Sequence, residues 1–395
     1  MDERGHLCER TSQSFCKRRM FAGLLIAILA WITILPISAT EGIEVEMPKE
    51  FDSVTEALPE EIVSELPDGM QSENTADQAA ALSEMLTPQY LFDMLARRLQ
   101  GAIGQGSRLF FLVCGLLILS AVFQTVCSSF SLNSLRHTVR FCTAGGLFAA
   151  LLYIQYEQLT AVIQCFERLH VLMQAMLPVG GVLLAMGGNV TTAAAGNVTL
   201  GVFLSVSETL CAKTVIPVCT IGTTMSVCQI LSPEVGLRGV TNALRKTYTV
   251  VLGFVMTLLC FLLSTQSAFC TAADSAGART AKLVSSITIP VVGGSVGDTL
   301  RVVAGSVQYL KSIVGVSGIF FVLLLVLPTF LSLVVTRLVF LIGSGMAEMM
   351  GCEVEGKLLS ELGGVWGTLI AVVAMCAVMF ILALVIFVRI AVAVG

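Results

Sequence analysis

Four stretches of the chain, residues 109–127, 248–269, 312–335 and 365–388, are almost unbroken runs of apolar side chains. Each is near or above the length of about 20 residues that a helix needs to cross the hydrocarbon core of a bilayer. Inside lipid there is no water for backbone N–H and C=O groups, so such a run must bond to itself as helix. Weaker runs at 141–156, 171–188, 198–214 and 215–231 are interrupted by glycine, proline and a few polar residues. Together they predict an all-α polytopic membrane protein of seven or eight transmembrane helices, some of them Gly/Pro-interrupted. Composition agrees. Hydrophobic residues make up 55% of the 395 and charged residues only 13%, about half the share usual for a soluble domain. The mean hydropathy is +0.87. That much apolar surface cannot be hidden from water in a soluble fold, which excludes a soluble enzyme and a nucleic-acid binder.

Charge divides the chain. Residues 41–100 hold fourteen Asp and Glu against three Lys and Arg, whereas from Arg108 onward fifteen basic residues meet ten acidic ones. Ahead of the acidic segment, Lys17, Arg18 and Arg19 precede an apolar run from Met20 to Leu35, then Pro36 and the small-residue sequence Ile37-Ser38-Ala39. A basic region, a short apolar core and a small residue before the cut describe a secretory signal peptide; the other reading is an uncleaved anchor. Either one exports the acidic segment. The expected organisation is a signal peptide over 1–39, an exported acidic segment over 40–104 and a multi-span domain over 105–395. Within the acidic segment, residues up to about 75 read as extended, having little to bury. Residues 76–103 read as two short amphipathic helices at the membrane surface, with Leu91, Leu95, Leu99 and Ile103 as the stripe of the second. Thr87-Pro88 resembles a cap followed by proline at the first helical position.

Lys and Arg in short loops orient the spans. Arg136 and Arg140, then Arg238, Arg245 and Lys246, then Arg337, suit the cytoplasmic side, and loop 157–170 suits the outside. Segment 270–311 belongs outside in this scheme although it holds Arg279, Lys282, Arg301 and Lys311. The C-terminus then also lies outside.

Several residues stand out as functional candidates. Glu208 and Lys213 sit within an apolar stretch, and charges at membrane depth face a bundle interior, a partner or water; both could equally lie near the end of a short span. Asp298 and Arg301 can pair along a helix, lying in the membrane or as solvated charges on its surface. Met176-Leu-Pro178-Val-Gly180-Gly181 resembles Ile289-Pro290-Val-Val-Gly293-Gly294, a short internal repeat. Paired Pro/Gly breaks in two halves of a membrane protein mark discontinuous helices near a central site. Asn189-Val-Thr191 and Asn197-Val-Thr199 match the glycosylation acceptor pattern but read as polar helix breaks. The small residues of 187–201 and 293–318 suit close helix packing.

Catalytic and cofactor patterns are missing from the sequence. The histidines are His6, His137 and His170, without an H-E-x-x-H motif, and the thirteen cysteines include no C-x-x-C. Cysteines in apolar spans behave as small hydrophobes. No G-x-x-x-x-G-K-[ST] phosphate loop occurs. The chain therefore reads as a non-enzyme without cofactor, metal or nucleic-acid partner, and any ATP hydrolysis would come from a separate protein.

The stretches Ala278-Arg-Thr-Ala-Lys282, Ser286-Ile-Thr-Ile-Pro290-Val-Val-Gly-Gly294-Ser-Val-Gly-Asp298 and Leu310-Lys-Ser-Ile-Val-Gly-Val-Ser-Gly318 resemble the stage III sporulation protein AE family. Arg245-Lys246 before an apolar span ending in Ser264-Thr265-Gln266 is similar too. The resemblance covers roughly residues 80–395 and is specific around 278–318. It implies a permease-like membrane component of a secretion or channel complex in the mother-cell membrane around the forespore, needed for late forespore gene expression. The implied partners are other stage III sporulation A-operon membrane proteins, a separate ATPase among them, forespore stage II sporulation protein Q, and membrane lipid. It carries over no catalytic residue. From the residues alone, an independent secondary transporter and a non-conducting membrane scaffold remain open beside it.

Overall fold

The computed structural model describes residues 51–63, 80–82, 84–85, 87–129, 133–231, 238–288 and 293–389. All of them belong to the compact unit that begins at Glu44. The signal-peptide region lies outside the described residues. Six long helices carry the structure: α1 Pro88–Ser129, α2 Asn133–Met186, α3 Val190–Leu231, α4 Arg238–Thr288, α5 Gly293–Met349 and α6 Glu353–Arg389. Each contains a segment long and apolar enough to cross a membrane. At 37 to 57 residues and about 1.5 Å per residue, they are far longer than a hydrocarbon core of about 30 Å.

This count differs from the seven or eight helices expected from sequence. The strong runs fall singly on α1, α4, α5 and α6. The weak runs merge in pairs, 141–156 with 171–188 into α2 and 198–214 with 215–231 into α3. Pro178 in α2, Pro217 in α3 and Pro328 in α5 all sit inside continuous helix. A proline removes one backbone bond, whereas ending a helix leaves about four N–H or C=O groups unmade on each side of the break. In apolar surroundings the single loss is the smaller penalty. The expected loop 157–170 is consequently mid-helix.

The turns that do end helices have a specific chemistry. At the α2–α3 junction, Gly188 has φ 77°. The Asn189 N–H donates to the Leu184 carbonyl at 2.9 Å and the Gly188 N–H to the Ala185 carbonyl at 3.0 Å. At the α5–α6 junction, Gly351 has φ 78°, with Cys352 N–H to Ala347 O at 2.8 Å and Gly351 N–H to Glu348 O at 3.2 Å. Both are Schellman closures, whose left-handed residue is normally glycine. Each reverses the chain so that α2 packs along α3 and α5 along α6.

The helix α6 lies at the centre, packed against α5, α3, α4 and α2, while α5 also packs on α1 and α2. In the most apolar window of α6, 56% of residues are buried, against 17% in that of α4. The outer helices turn large apolar side chains outward: Val250, Phe254, Leu258, Phe261 and Phe269 on α4, and Phe111, Leu112, Leu119 and Phe123 on α1. A stripe of this size facing water would be an aggregation surface; facing acyl chains it is matched. In the centre, glycines let helices approach. A Cβ on Gly315 would strike Val388, one on Gly318 would strike Met176, and one on Gly106 would strike Val335, the small-residue packing expected for 293–318. Trp366 meets Phe340 edge-on at 5.0 Å between ring centroids.

The segment before α1 departs from the extended reading. Asp52–Glu56 and Glu60–Val63 are short helices, with Phe51, Val54, Leu58 and Ile62 buried, and the first of them contacts α2. Four apolar residues spaced three or four apart form one face, enough to dock an otherwise acidic strip. Thr87 caps α1 as its sequence suggests: the Tyr90 N–H donates to Thr87 Oγ1 at 3.4 Å and Pro88 is the first helical residue. There is no separate amphipathic helix after it. The chain runs unbroken from Pro88 through residue 104 into the apolar run, because nothing between them stops the helix. It buries Met94, Ala102, Leu109, Val113 and Leu117, whereas Leu95, Leu99 and Ile103 of the expected stripe are exposed.

Around Gly351 there is open space for a methyl group. Gly351→Ala should therefore cost only the left-handed backbone penalty, about 1–2 kcal/mol, seen as a lower thermal unfolding midpoint in detergent. Gly351→Asn should lose less. An unchanged midpoint in the alanine variant would contradict the turn geometry.

Candidate functional site

Polar side chains inside the bundle gather at two levels. The first lies where α1, α3 and α5 end and α2, α4 and α6 begin. Arg245, in the first turns of α4, is buried. Its Nη1 donates to Glu361 Oε2 of α6 at 3.3 Å and its Nη2 to Ser226 Oγ of α3 at 2.7 Å. Two glycines make room for the guanidinium. A Cβ on Gly364 would collide with Nη1, and one on Gly222 would lie 3.7 Å from Nε. Beside this pair, Gln155 Nε2 of α2 donates to Thr223 Oγ1 of α3 at 2.7 Å. Six residues before Glu361, about 9 Å along the helix axis, Glu355 is also buried. Its Oε1 accepts from Ser120 Oγ of α1 at 2.5 Å, Thr143 Oγ1 of α2 at 2.7 Å and Gln124 Nε2 of α1 at 3.4 Å. Five helices thus contribute polar groups to one layer.

The second level lies at the opposite end. Asp274 of α4, fourteen residues before that helix ends, caps the start of α3. Its Oδ1 accepts the Thr191 N–H at 3.1 Å and the Thr191 hydroxyl. Its Oδ2 accepts the Thr192 N–H at 2.9 Å and the Thr192 hydroxyl at 2.7 Å. These are N–H groups the helix cannot bond itself, and the carboxylate sits at the positive end of the α3 dipole. Nearby in the fold, Lys311 of α5 is fully buried, with Nζ 5.6 Å from the centre of the Phe387 ring, a cation–π distance. Phe387 also lines an apolar cleft of about 540 Å³, counting its open mouth, whose walls include Met176, Gly180, Asn197, Leu200 and Leu384.

The residues singled out from sequence are scattered relative to these levels. Lys213 is exposed on α3. Glu208 lies on α3, and Asp298, Arg301, Gly293 and Gly294 on α5, but their side chains are outside the described set, as is Pro290 altogether. Pro178 is exposed in continuous α2, not at a discontinuity. The apolar setting of α2 and the orphan groups that a break would create keep the helix whole. A Cβ on Gly180 would lie 3.3 Å from the Phe387 ring and one on Gly181 2.6 Å from Asn197 Nδ2, so both glycines serve close packing. Of the two halves of the short repeat, 176–181 lies within α2, and 289–292 lies outside the described residues. Of the two Asn-x-Thr sequences, Asn189 sits in a turn, and Asn197 is inside α3 because nothing at 194–199 halts that helix. Glu355 and Glu361 are not singled out by the sequence, and Arg245 reads there only as a cytoplasmic-side charge and part of the family resemblance, because each flanks an apolar run, where a charge looks like the start of a loop. The available signal was their position: Glu355 and Glu361 alternate on α6 with the exposed pair Glu353 and Lys357, 3.8 Å apart.

The sequence model of the stage III sporulation protein AE family matches residues 71–391. Stage III sporulation protein AE of Bacillus subtilis (strain 168) is 26% identical over 145 residues, which is 37% of this chain and 36% of the relative. The chain thus spans about a third of the length of the curated relative it matches. No solved structure matches.

Arg245 and Glu361 neutralise each other away from water. Replacing either one alone strands a buried charge and should cost about 3–5 kcal/mol. The Arg245→Met/Glu361→Met double variant should be much less destabilised than the sum of the singles. Thermal unfolding of the detergent-solubilised set measures this. Additive losses would show that the pair is not coupled.

Proposed function

We propose that this chain, which belongs to the stage III sporulation protein AE family, is the permease-like membrane component of a sporulation-specific secretion or channel complex linking mother cell and forespore. Family membership and six membrane-length apolar helices make it a sporulation-related membrane component. The finer reading rests on the polar layer formed by Arg245, Glu361, Glu355 and their neighbours. Buried charges in a membrane bundle are costly and characteristically line a pathway or move during its operation. In this reading the chain is not an enzyme. Its partners are the other stage III sporulation A-operon membrane proteins, with a separate ATPase supplying energy, and stage II sporulation protein Q of the forespore.

Each long helix crosses the mother-cell membrane once. Arg136 and Arg140 at the start of α2, Arg238 and Lys246 at the start of α4, Lys357 at the start of α6, and Arg337 twelve residues before the end of α5 support a cytoplasmic position for the polar layer. The α2–α3 turn carries no charge between Arg168 and Glu208 and lies on the exported side. The acidic segment before α1 and the C-terminus share that side, where extracellular partners in the intermembrane space meet them.

The test uses the Arg245→Met/Glu361→Met double variant, which keeps the bundle packed but removes the charges. In a sporulating host it should still co-purify with its membrane partners, while late forespore reporter expression falls roughly tenfold or more. Full reporter activity from an assembled complex would favour a non-conducting scaffold. Solute movement by the purified chain alone in liposomes would favour an independent transporter.

A further inference from the structure

The Glu355 carboxylate makes no ion pair among the described residues. Its side chain belongs to a residue only 1% exposed, and while Oε1 receives three donors, Oε2 is buried with no hydrogen-bond partner. The other described charges of α6, and Arg245, are committed elsewhere. Glu353 and Lys357 pair with each other on the outer face of α6, and Arg245 pairs with Glu361. Ionised, such a group needs a counter-charge; protonated, its O–H needs an acceptor. The described surroundings give Oε2 neither.

What surrounds the carboxylate is oxygen from two neighbouring helices, α1 and α2. The Ser120 hydroxyl, which also accepts from Gln124 Nε2 at 3.2 Å, and the Thr143 hydroxyl each keep a lone pair after donating their proton, and turning the Gln124 amide would bring its oxygen inward in place of that donor. This is a hard-donor set without sulfur or imidazole, the chemistry of alkali and alkaline-earth cations. With a single carboxylate, its formal charge of minus one is balanced by a single positive charge. We infer that Glu355, Ser120, Thr143 and Gln124 form a binding site for one monovalent alkali cation at the junction of α1, α2 and α6. Occupancy joins three helices through one ion and so stabilises the folded bundle by mass action. The inference does not rest on the conduit reading, because binding is read on the isolated protein.

The experiment tracks thermal unfolding of the full chain in detergent while sodium chloride replaces choline chloride at constant ionic strength and pH. The unfolding midpoint should rise and saturate with sodium. Glu355→Gln should abolish the response. If that variant does not fold, Ser120→Ala/Thr143→Ala keeps the carboxylate and should raise the sodium concentration for the half-maximal response about tenfold or more. Equal midpoints in sodium and choline, or a full sodium response in Glu355→Gln or in the double variant, would overturn the site. Arg140 stands one helical turn before Thr143 in the sequence and provides the remaining control. Destabilisation by Arg140→Gln that Glu355→Gln relieves, with no sodium response in the parent, would assign the counter-charge to arginine and also overturn the site.

Discussion

A polypeptide surrounded by acyl chains must satisfy its backbone from within, and nearly every feature of this bundle derives from that constraint. Helices run on through Pro178, Pro217 and Pro328 because stopping would orphan more groups than one proline does. They stop where a glycine can adopt a left-handed conformation and fold the last carbonyls back onto the chain, as at Gly188 and Gly351. Where α3 starts beside α4, N–H groups of its first turn are taken by Asp274 from the neighbouring helix. Helix continuity, turn position and one inter-helix tie therefore come from the same accounting of hydrogen bonds.

Once the backbone is satisfied, side chains decide which helices lie inside. The central α6 combines small residues that admit neighbours closely with the two glutamates that draw polar groups from the rest of the bundle. Glu361 reaches α4 through Arg245, and through Arg245 it reaches Ser226 on α3; Glu355 reaches α1 and α2. Apolar packing alone would leave helix register loosely specified, since lipid tails compete equally well for Leu and Val. A buried polar contact has no such substitute, so these few pairs fix how the helices slide against one another. The same groups are the ones able to respond to an ion, a partner or a passing solute.

Much of this was legible in the sequence. The four long apolar runs located α1, α4, α5 and α6, the Thr87-Pro88 cap placed the start of α1, and the motif 278–318 pointed to the family. The weaker runs misled because Pro178 and the glycines near it resemble the paired breaks of discontinuous membrane helices, whereas a lone proline inside an apolar helix costs less than a break. Phe51, Val54, Leu58 and Ile62 were overlooked because the acidity around them hid a four-residue apolar face. The polar layer was hidden for a different reason. The Arg245 guanidinium is accommodated by Gly222 and Gly364 from two other helices and paired with Glu361 from one of them. Complementarity between segments from 23 to 119 residues apart leaves no periodicity in any of them.

The number of crossings is the claim on which orientation, the exported side and the placement of the polar layer all depend. In a cysteine-free background, single cysteines at Met186 and Met349 report it directly. Six crossings put these positions on opposite faces. A membrane-impermeant thiol reagent should then label Met186→Cys in intact protoplasts and Met349→Cys only after permeabilisation. Protection of both positions until permeabilisation would mean that α2 or α3 spans the membrane differently, as an eight-span arrangement requires, and would contradict the six-helix account.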